Sequence, residues 1–302
     1  MMFTYDFEGL NTFLKGELHK NLTGDAWKWL ENEGESIRAK GELSKFNIAF
    51  VAMPRKTGKK YLDDLHQGDK TPESFRPHLS LKGWSADRLA RVWLLMQVNP
   101  ENKDTYVATI ENLFLNAEMG ELVALYSSLP LLAYPEAWRK RCAEGIRSSI
   151  GQVLEAVICD NPYPSEQLDE AAWNQLVLKA IFTEKPILAI TGLKERANLA
   201  LAQSLLDYVH ERWAAHRAVN PLLWICVSPF IDENNFSDIQ RLFSSADTNE
   251  REAAALAAYN SSYDPARKMV QGYPGLLNDI ESGKISWESV AAKMEKADQP
   301  NK

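Results

Sequence analysis

The sequence predicts an all-α fold, an irregular α-α superhelix or compact HEAT-like helical solenoid. Three observations predict it. Apolar residues recur at the 3.6-residue helical spacing wherever they recur regularly. No Asn-Gly or Asp-Gly pair joins alternating segments, and β-branched runs are short, so hairpin signals are missing. Helix-start residues precede several of the periodic runs.

Taken in order, the spacing predicts helices over 11–18 and 25–39. Residues 54–80 carry Gly, Pro, Lys and Asp without an apolar period and read as a long surface excursion. Ser85 caps a helix over 86–97, and 103–115 and 118–129 follow. Pro135 stands in the first turn before 136–149, and a helix over 152–159 leads to Asn161-Pro162-Tyr163-Pro164-Ser165. That word is expected to be non-helical, because each proline pushes its predecessor out of the α region. Helices over 169–182, 199–217, 220–230 and 236–243 come next. Asp247, with Glu250 three residues on, starts a helix over 248–260, whose Ala-rich run 253–257 is of the kind that stacks in solenoids. Short helices over 265–271 and 286–295 precede a polar end, 296–302, expected to fray. The organisation is an N-terminal helical segment at 1–83, a core at 84–272 and a C-terminal helix and tail at 273–302, read as one structural domain.

Composition narrows the function classes. Of 302 residues, 45% are hydrophobic, and nine Trp and eleven Phe supply a core that needs no metal or disulfide. The net charge of −7 argues against nucleic acid as the main partner, because phosphate-backbone affinity comes from clustered Lys and Arg. The three cysteines form no C-x-x-C pair, and Cys159 and Cys226 sit among apolar neighbours as small hydrophobes. The start of the chain has no basic region leading into an apolar stretch, and no window reaches the roughly 18 apolar residues of a membrane span. The expected location is the cytoplasm.

Catalytic motifs are scarce. Arg55-Lys56-Thr57-Gly58-Lys59-Lys60 lacks the first glycine and the final Ser or Thr of a phosphate loop and reads as a solvated basic loop. Asp207, His210 and Glu211 share a helical face, but His216 is six residues from His210, so no metal site and no cofactor is expected. Two helices carry polar residues inside apolar arcs. Asn174 falls between Leu178 and Ile181, leaving Gln175 and Lys179 as one narrow polar strip. A buried amide there ties down a neighbouring loop, such as the Asn161–Pro164 turn, or binds a ligand. Arg212 and His216 project into the arc of Leu201, Leu205 and Val209, either as cations complementing a helix C-terminus or as a guanidinium awaiting an anion. Arg147 reads as the surface partner of Glu144.

These words resemble one family. Leu113-Phe114, Glu121-Leu122-Val123-Ala124-Leu125-Tyr126, Leu129-Pro130-Leu131-Leu132, Glu144-Gly145-Ile146-Arg147, Asn161-Pro162-Tyr163-Pro164, Trp173-Asn174-Gln175-Leu176-Val177-Leu178-Lys179 and His210-Glu211-Arg212-Trp213-Ala214-Ala215 occur in the order and spacing of the EboA family. The resemblance runs from about Trp84 to Asn260. One departure is His216, where the family pattern has glycine after the two alanines. Membership implies a helical protein acting with other ebo-cluster products: a UbiA-type prenyltransferase, a TatD-like hydrolase, a sugar-isomerase-like barrel and a dehydroquinate-synthase-like protein. It also implies a part in making or exporting prenylated secondary metabolites. It names a pathway rather than a reaction and transfers no catalytic residue.

Three functions follow. The first is a non-catalytic adaptor or carrier. The second is an enzyme acting on a small, prenylated or phosphorylated metabolite. Its polar pocket would form as the Asn161–Pro164 turn packs beside the 169–182 and 199–217 helices, gathering Asn161, Tyr163, Asn174, Lys179 and Arg212. The third is a purely structural interaction module. An apolar groove lined by Trp and Leu would favour the carrier.

Overall fold

Helices account for nearly all the regular structure, as the periodicity predicts. The computed structural model describes residues 3–40, 43–63, 65–66 and 68–297. Among these are seventeen α-helices, six short 3-10 turns and a single antiparallel bridge, Tyr61 to Ser85. Contacts divide the chain into two compact units, 1–173 and 174–302.

The first unit holds α1 (Phe7–Asn21), α2 (Gly24–Lys40), α3 (Leu43–Thr57), α4 (Ala86–Leu95), α5 (Lys103–Leu115), α6 (Met119–Ser128), α7 (Arg139–Ile146), α8 (Gly151–Ile158) and α9 (Tyr163–Gln167). The boundary falls inside α10 (Glu170–Phe182). Helix α4 is the centre: all its residues but Arg88 are buried, and α1, α2, α3 and α6 pack on it. A helix buried on every side belongs in a core, and its charged residues there must be paired. Buried Arg91 is held on the same helix by Asp87 at 2.8 Å, with Glu121 at 4.0 Å.

Helix α3 was not legible in the periodicity, and the reason is Pro54, which lies inside it. Proline has no N–H for the carbonyl four residues back, here that of Phe50. Arg91 Nε supplies the missing donor, 2.9 Å from Phe50 O. The 54–80 excursion therefore starts late, past Thr57, where Gly58 takes φ +76°. It is also partly internal, since Leu62, Pro72, Arg76 and Leu79 are buried.

Prolines account for three further corrections. The Asn161–Ser165 word contains the start of a helix, α9, because Pro164 occupies the first turn, where no N–H is needed. The predicted 136–149 helix is a 3-10 turn, Pro135–Trp138, followed by α7. The predicted 220–230 helix is broken into 3-10 turns at Pro221 and Pro229 around the single turn α12 (Trp224–Val227).

The second unit continues with α11 (Leu199–Ala214), α13 (Phe236–Phe243), α14 (Thr248–Asn260), α15 (Asp264–Gln271), α16 (Pro274–Glu281) and α17 (Trp287–Ala297). Helix α16 was missed in the sequence, and the end of the tail, 298–302, lies outside the described residues. The Ala-rich α14 is the hub, touching α12, α13, α15, α16 and α17. Its buried Ala253, Ala254, Ala255, Ala257 and Ala258 let these neighbours approach closely. Buried Glu252 pairs with Lys293 of α17, both oxygens at 2.6 Å.

Candidate functional site

In the first unit the resemblance words turn out to hold the scaffold. Asn161 is buried and donates to Tyr126 O at 3.1 Å and Ala156 O at 2.9 Å, while its Oδ1 accepts from Tyr163 N at 3.0 Å. Buried Tyr163 donates its hydroxyl to Pro135 O. Burial also pushes the Tyr163 hydroxyl well above the ordinary phenol range. Gly145 of α7 meets the same assembly, since a Cβ there would sit 2.6 Å from both Tyr126 Cε1 and Val157 Cγ2. Arg76 forks onto Glu166 of α9 and donates Nε to Pro130 O at 3.1 Å. Glu144 pairs with Arg141 at 2.7 Å rather than with Arg147, the other acceptor of Arg141 being Glu111.

The other three residues picked from sequence stand in the second unit. Asn174 is half-buried and exchanges two amide hydrogen bonds with Asn198, at 3.1 and 2.8 Å. The segment it ties is thus the one entering α11, which Asn198 also caps by accepting from Leu201 N at 2.9 Å. Lys179 is half-buried, and its ammonium makes no hydrogen bond or ion pair among the described residues. Arg212 donates Nε and Nη2 to Ala218 O at 2.9 and 2.7 Å, closing the chain that leaves α11. His216 is past the helix end, with φ +54°. The Arg217 N to Arg212 O bond of 2.8 Å and the His216 N to Trp213 O bond of 3.1 Å form a Schellman motif around it. Its left-handed backbone is what a glycine adopts at no steric cost, which explains the family glycine at this step. His210 meets Asp238 at 2.9 Å rather than a metal set. Among the described residues no three His, Cys, Asp or Glu side chains group as metal ligands.

The feature that sequence reasoning missed is a cleft in the second unit. It is an open cleft of about 400 Å³ between the turn after α12, the C-terminal half of α14 and the corner joining α16 to α17. Ile225, Leu256, Ile280, Ile285 and Trp287 line its depth, and Tyr259 stands at its wall, 42% exposed. The volume falls in the usual range for small-molecule sites, about 300–1,000 Å³. Its polar lining includes exposed Lys194, Asn260 and Glu288 and buried Ser228. Backbone and Ser286 hydrogen bonds hold Glu288 below the usual carboxylate range, and the Lys194 ammonium adds to this. No local word announces the cleft, because its walls are some sixty residues apart in sequence.

Ionisable residues elsewhere are tuned by burial. The Cys142 and Cys226 thiols are each pushed up to about 12 by desolvation, so neither is a nucleophile near neutral pH. Arg88 is lowered to about 10, chiefly by burial, with Asp160 and Asp87 opposing. Its Nε donates to Ser127 at 2.8 Å and its guanidinium lies over Trp84. No helix among the described residues is long and apolar enough to cross a membrane.

A family model described as metabolite traffic protein EboA matches residues 10–228. The match begins well before Trp84 and stops in the turn that forms one wall of the cleft. No curated protein and no solved structure matches the chain.

Proposed function

The chain belongs to the EboA family, and from that premise we propose that it is a non-catalytic cytoplasmic carrier for a small apolar metabolite. The cargo is a prenylated secondary metabolite. The proteins between which it moves are the UbiA-type prenyltransferase, the TatD-like hydrolase and the sugar-isomerase-like barrel of the ebo cluster. The observation that carries this reading is the second-unit cleft, lined by buried Ile225, Leu256, Ile285 and Trp287 together with exposed Lys194 and Glu288. That distribution suits a ligand with a hydrocarbon portion and a polar end. The fixed ionic and amide groups support the same reading. Arg76, Arg91, Asn161, Asn174 and Arg212 each spend hydrogen bonds on neighbouring protein groups, as a scaffold requires.

Native mass spectrometry of the chain purified from its producing host, followed by organic extraction, tests the proposal. The expected result is one apolar small molecule per chain. A chain that arrives empty while turning over a pathway intermediate refutes it.

A second reading is an enzyme whose ligand contacts within the second unit are Asn174, Lys179 and Arg212. Its favouring observation is the half-buried Lys179 ammonium without a partner among the described residues. Lys179→Ala should then abolish pathway output with the melting temperature nearly unchanged.

A further inference from the structure

The geometry points to a docking face for an anionic lipid surface on α3 and the basic run that follows it. Between Leu43 and Leu62 the sequence has five cations, Lys45, Arg55, Lys56, Lys59 and Lys60, and no carboxylate, in a chain of net charge −7. The helix packs on α2 and α4 through buried Phe46, Ala49, Phe50 and Met53. Its opposite face carries Ile48 and Val51, three residues apart and so neighbours on one side, 69% and 60% exposed. Arg55 and Lys56, at the same helix end, are exposed, as are Lys59 and Lys60 beyond it.

Helix-terminal cations are ordinarily explained by the macrodipole, and Arg55 and Lys56 satisfy that account. It does not explain two aliphatic side chains facing water on the same helix, nor the further lysines past Gly58. Among the described residues Arg55, Lys59 and Lys60 make no ion pair, so their charge is not spent on this chain. Lys56 lies over the Trp29 ring at 5.6 Å, which leaves its charge intact.

Exposed aliphatics beside unspent cations match the chemistry of an anionic bilayer interface. Apolar side chains enter the boundary between headgroups and acyl chains while Lys and Arg take the lipid charges. An acidic protein surface would reward the cations but leave Ile48 and Val51 no better covered. The docking does not rest on the cargo reading, though a carrier of apolar molecules has reason to visit the phase that dissolves them.

Co-sedimentation with empty vesicles decides the matter, and failure there leaves the cargo reading standing. Phosphatidylcholine vesicles are compared with vesicles of equal parts phosphatidylcholine and phosphatidylglycerol. The chain is expected to bind only the anionic vesicles, and to detach as added salt shortens the Debye length to about 3 Å. Neutralising four surface cations, in the variant R55Q/K56Q/K59Q/K60Q, should lower partitioning by about 100-fold or more. Ile48→Ser with Val51→Ser should weaken anionic-vesicle binding without changing the circular dichroism or melting temperature. Equal binding to neutral vesicles, or undiminished binding by the quadruple variant, overturns the proposal. So does a self-association in free solution that the Ile48→Ser and Val51→Ser changes abolish, which would make this face an interface between copies.

Discussion

Gly145→Ala separates helix propensity from packing at one position. In an exposed helix interior the change stabilises by about 1 kcal/mol, because alanine loses less backbone entropy. At Gly145 the new methyl would sit 2.6 Å from Val157 Cγ2, 2.6 Å from Tyr126 Cε1 and 2.9 Å from Tyr126 Cζ. Neither neighbour is a flexible side-chain end. Val157 is fully buried on α8, and Tyr126 is held edge-on against Phe114 with ring centroids 5.3 Å apart. Overpacking of this kind costs about 1–3 kcal/mol, and relief here requires α6, α7 and α8 to separate. Setting the propensity gain against a cost near the top of that range leaves a net loss of about 1–2 kcal/mol. Urea unfolding monitored by far-ultraviolet circular dichroism measures it. Gly120→Ala, where nothing lies within 4 Å of the added methyl, is the control and should be neutral or slightly stabilising. A Gly145→Ala protein as stable as the parent would refute the close three-helix contact.

Three other perturbations have definite signs. Asn161→Ala leaves two buried carbonyls and the Tyr163 N–H short of a partner, so unfolding should show a loss of about 2–4 kcal/mol, more than Asn174→Ala at its half-buried site. His216→Gly should raise stability by about 1 kcal/mol in the same assay, by relieving a left-handed backbone. The Cys142 and Cys226 thiols remain protonated in the folded chain up to about 12, whereas an unfolded thiol ionises near its ordinary value of 9.0. The folded values are raised, so the unfolded chain binds fewer protons in this window. Stability is fully present below pH 9 and declines as pH rises toward 12. Denaturant midpoints measured along that range should fall, and Cys142→Ala with Cys226→Ala should flatten the slope.

Sequence periodicity identified α11 because it buries a stripe, Leu201, Ala202, Leu205 and Val209, recurring at helical spacing, and α11 and α14 also start with a capping residue. It missed α3 because the donor that makes Pro54 tolerable, Arg91, lies thirty-seven residues further along the chain. It misread Asn161–Ser165 by applying the rule for the residue before proline without allowing for a helix that begins there. Two of the polar residues read as lying inside apolar arcs, Asn174 and Arg212, are half-buried and hydrogen-bonded. Which partners they take, Asn198 for Asn174 and Ala218 O for Arg212, depends on loop paths that no local pattern encodes. The second-unit cleft left no trace in the sequence for a similar reason. Ile225, Leu256 and Ile285 look like ordinary core residues until the elements carrying them are placed together.

Binding of a dansyl-labelled farnesyl probe, followed by its fluorescence, tests the carrier claim at the cleft itself. The parent chain should bind one probe. Tyr259→Glu sets a carboxylate on the exposed wall and should weaken binding about tenfold or more, corresponding to at least about 1.4 kcal/mol. Leu115→Glu, at a still more exposed apolar position outside the cleft, should bind as the parent does. Equal affinity across all three chains, or no binding by the parent, would contradict the account.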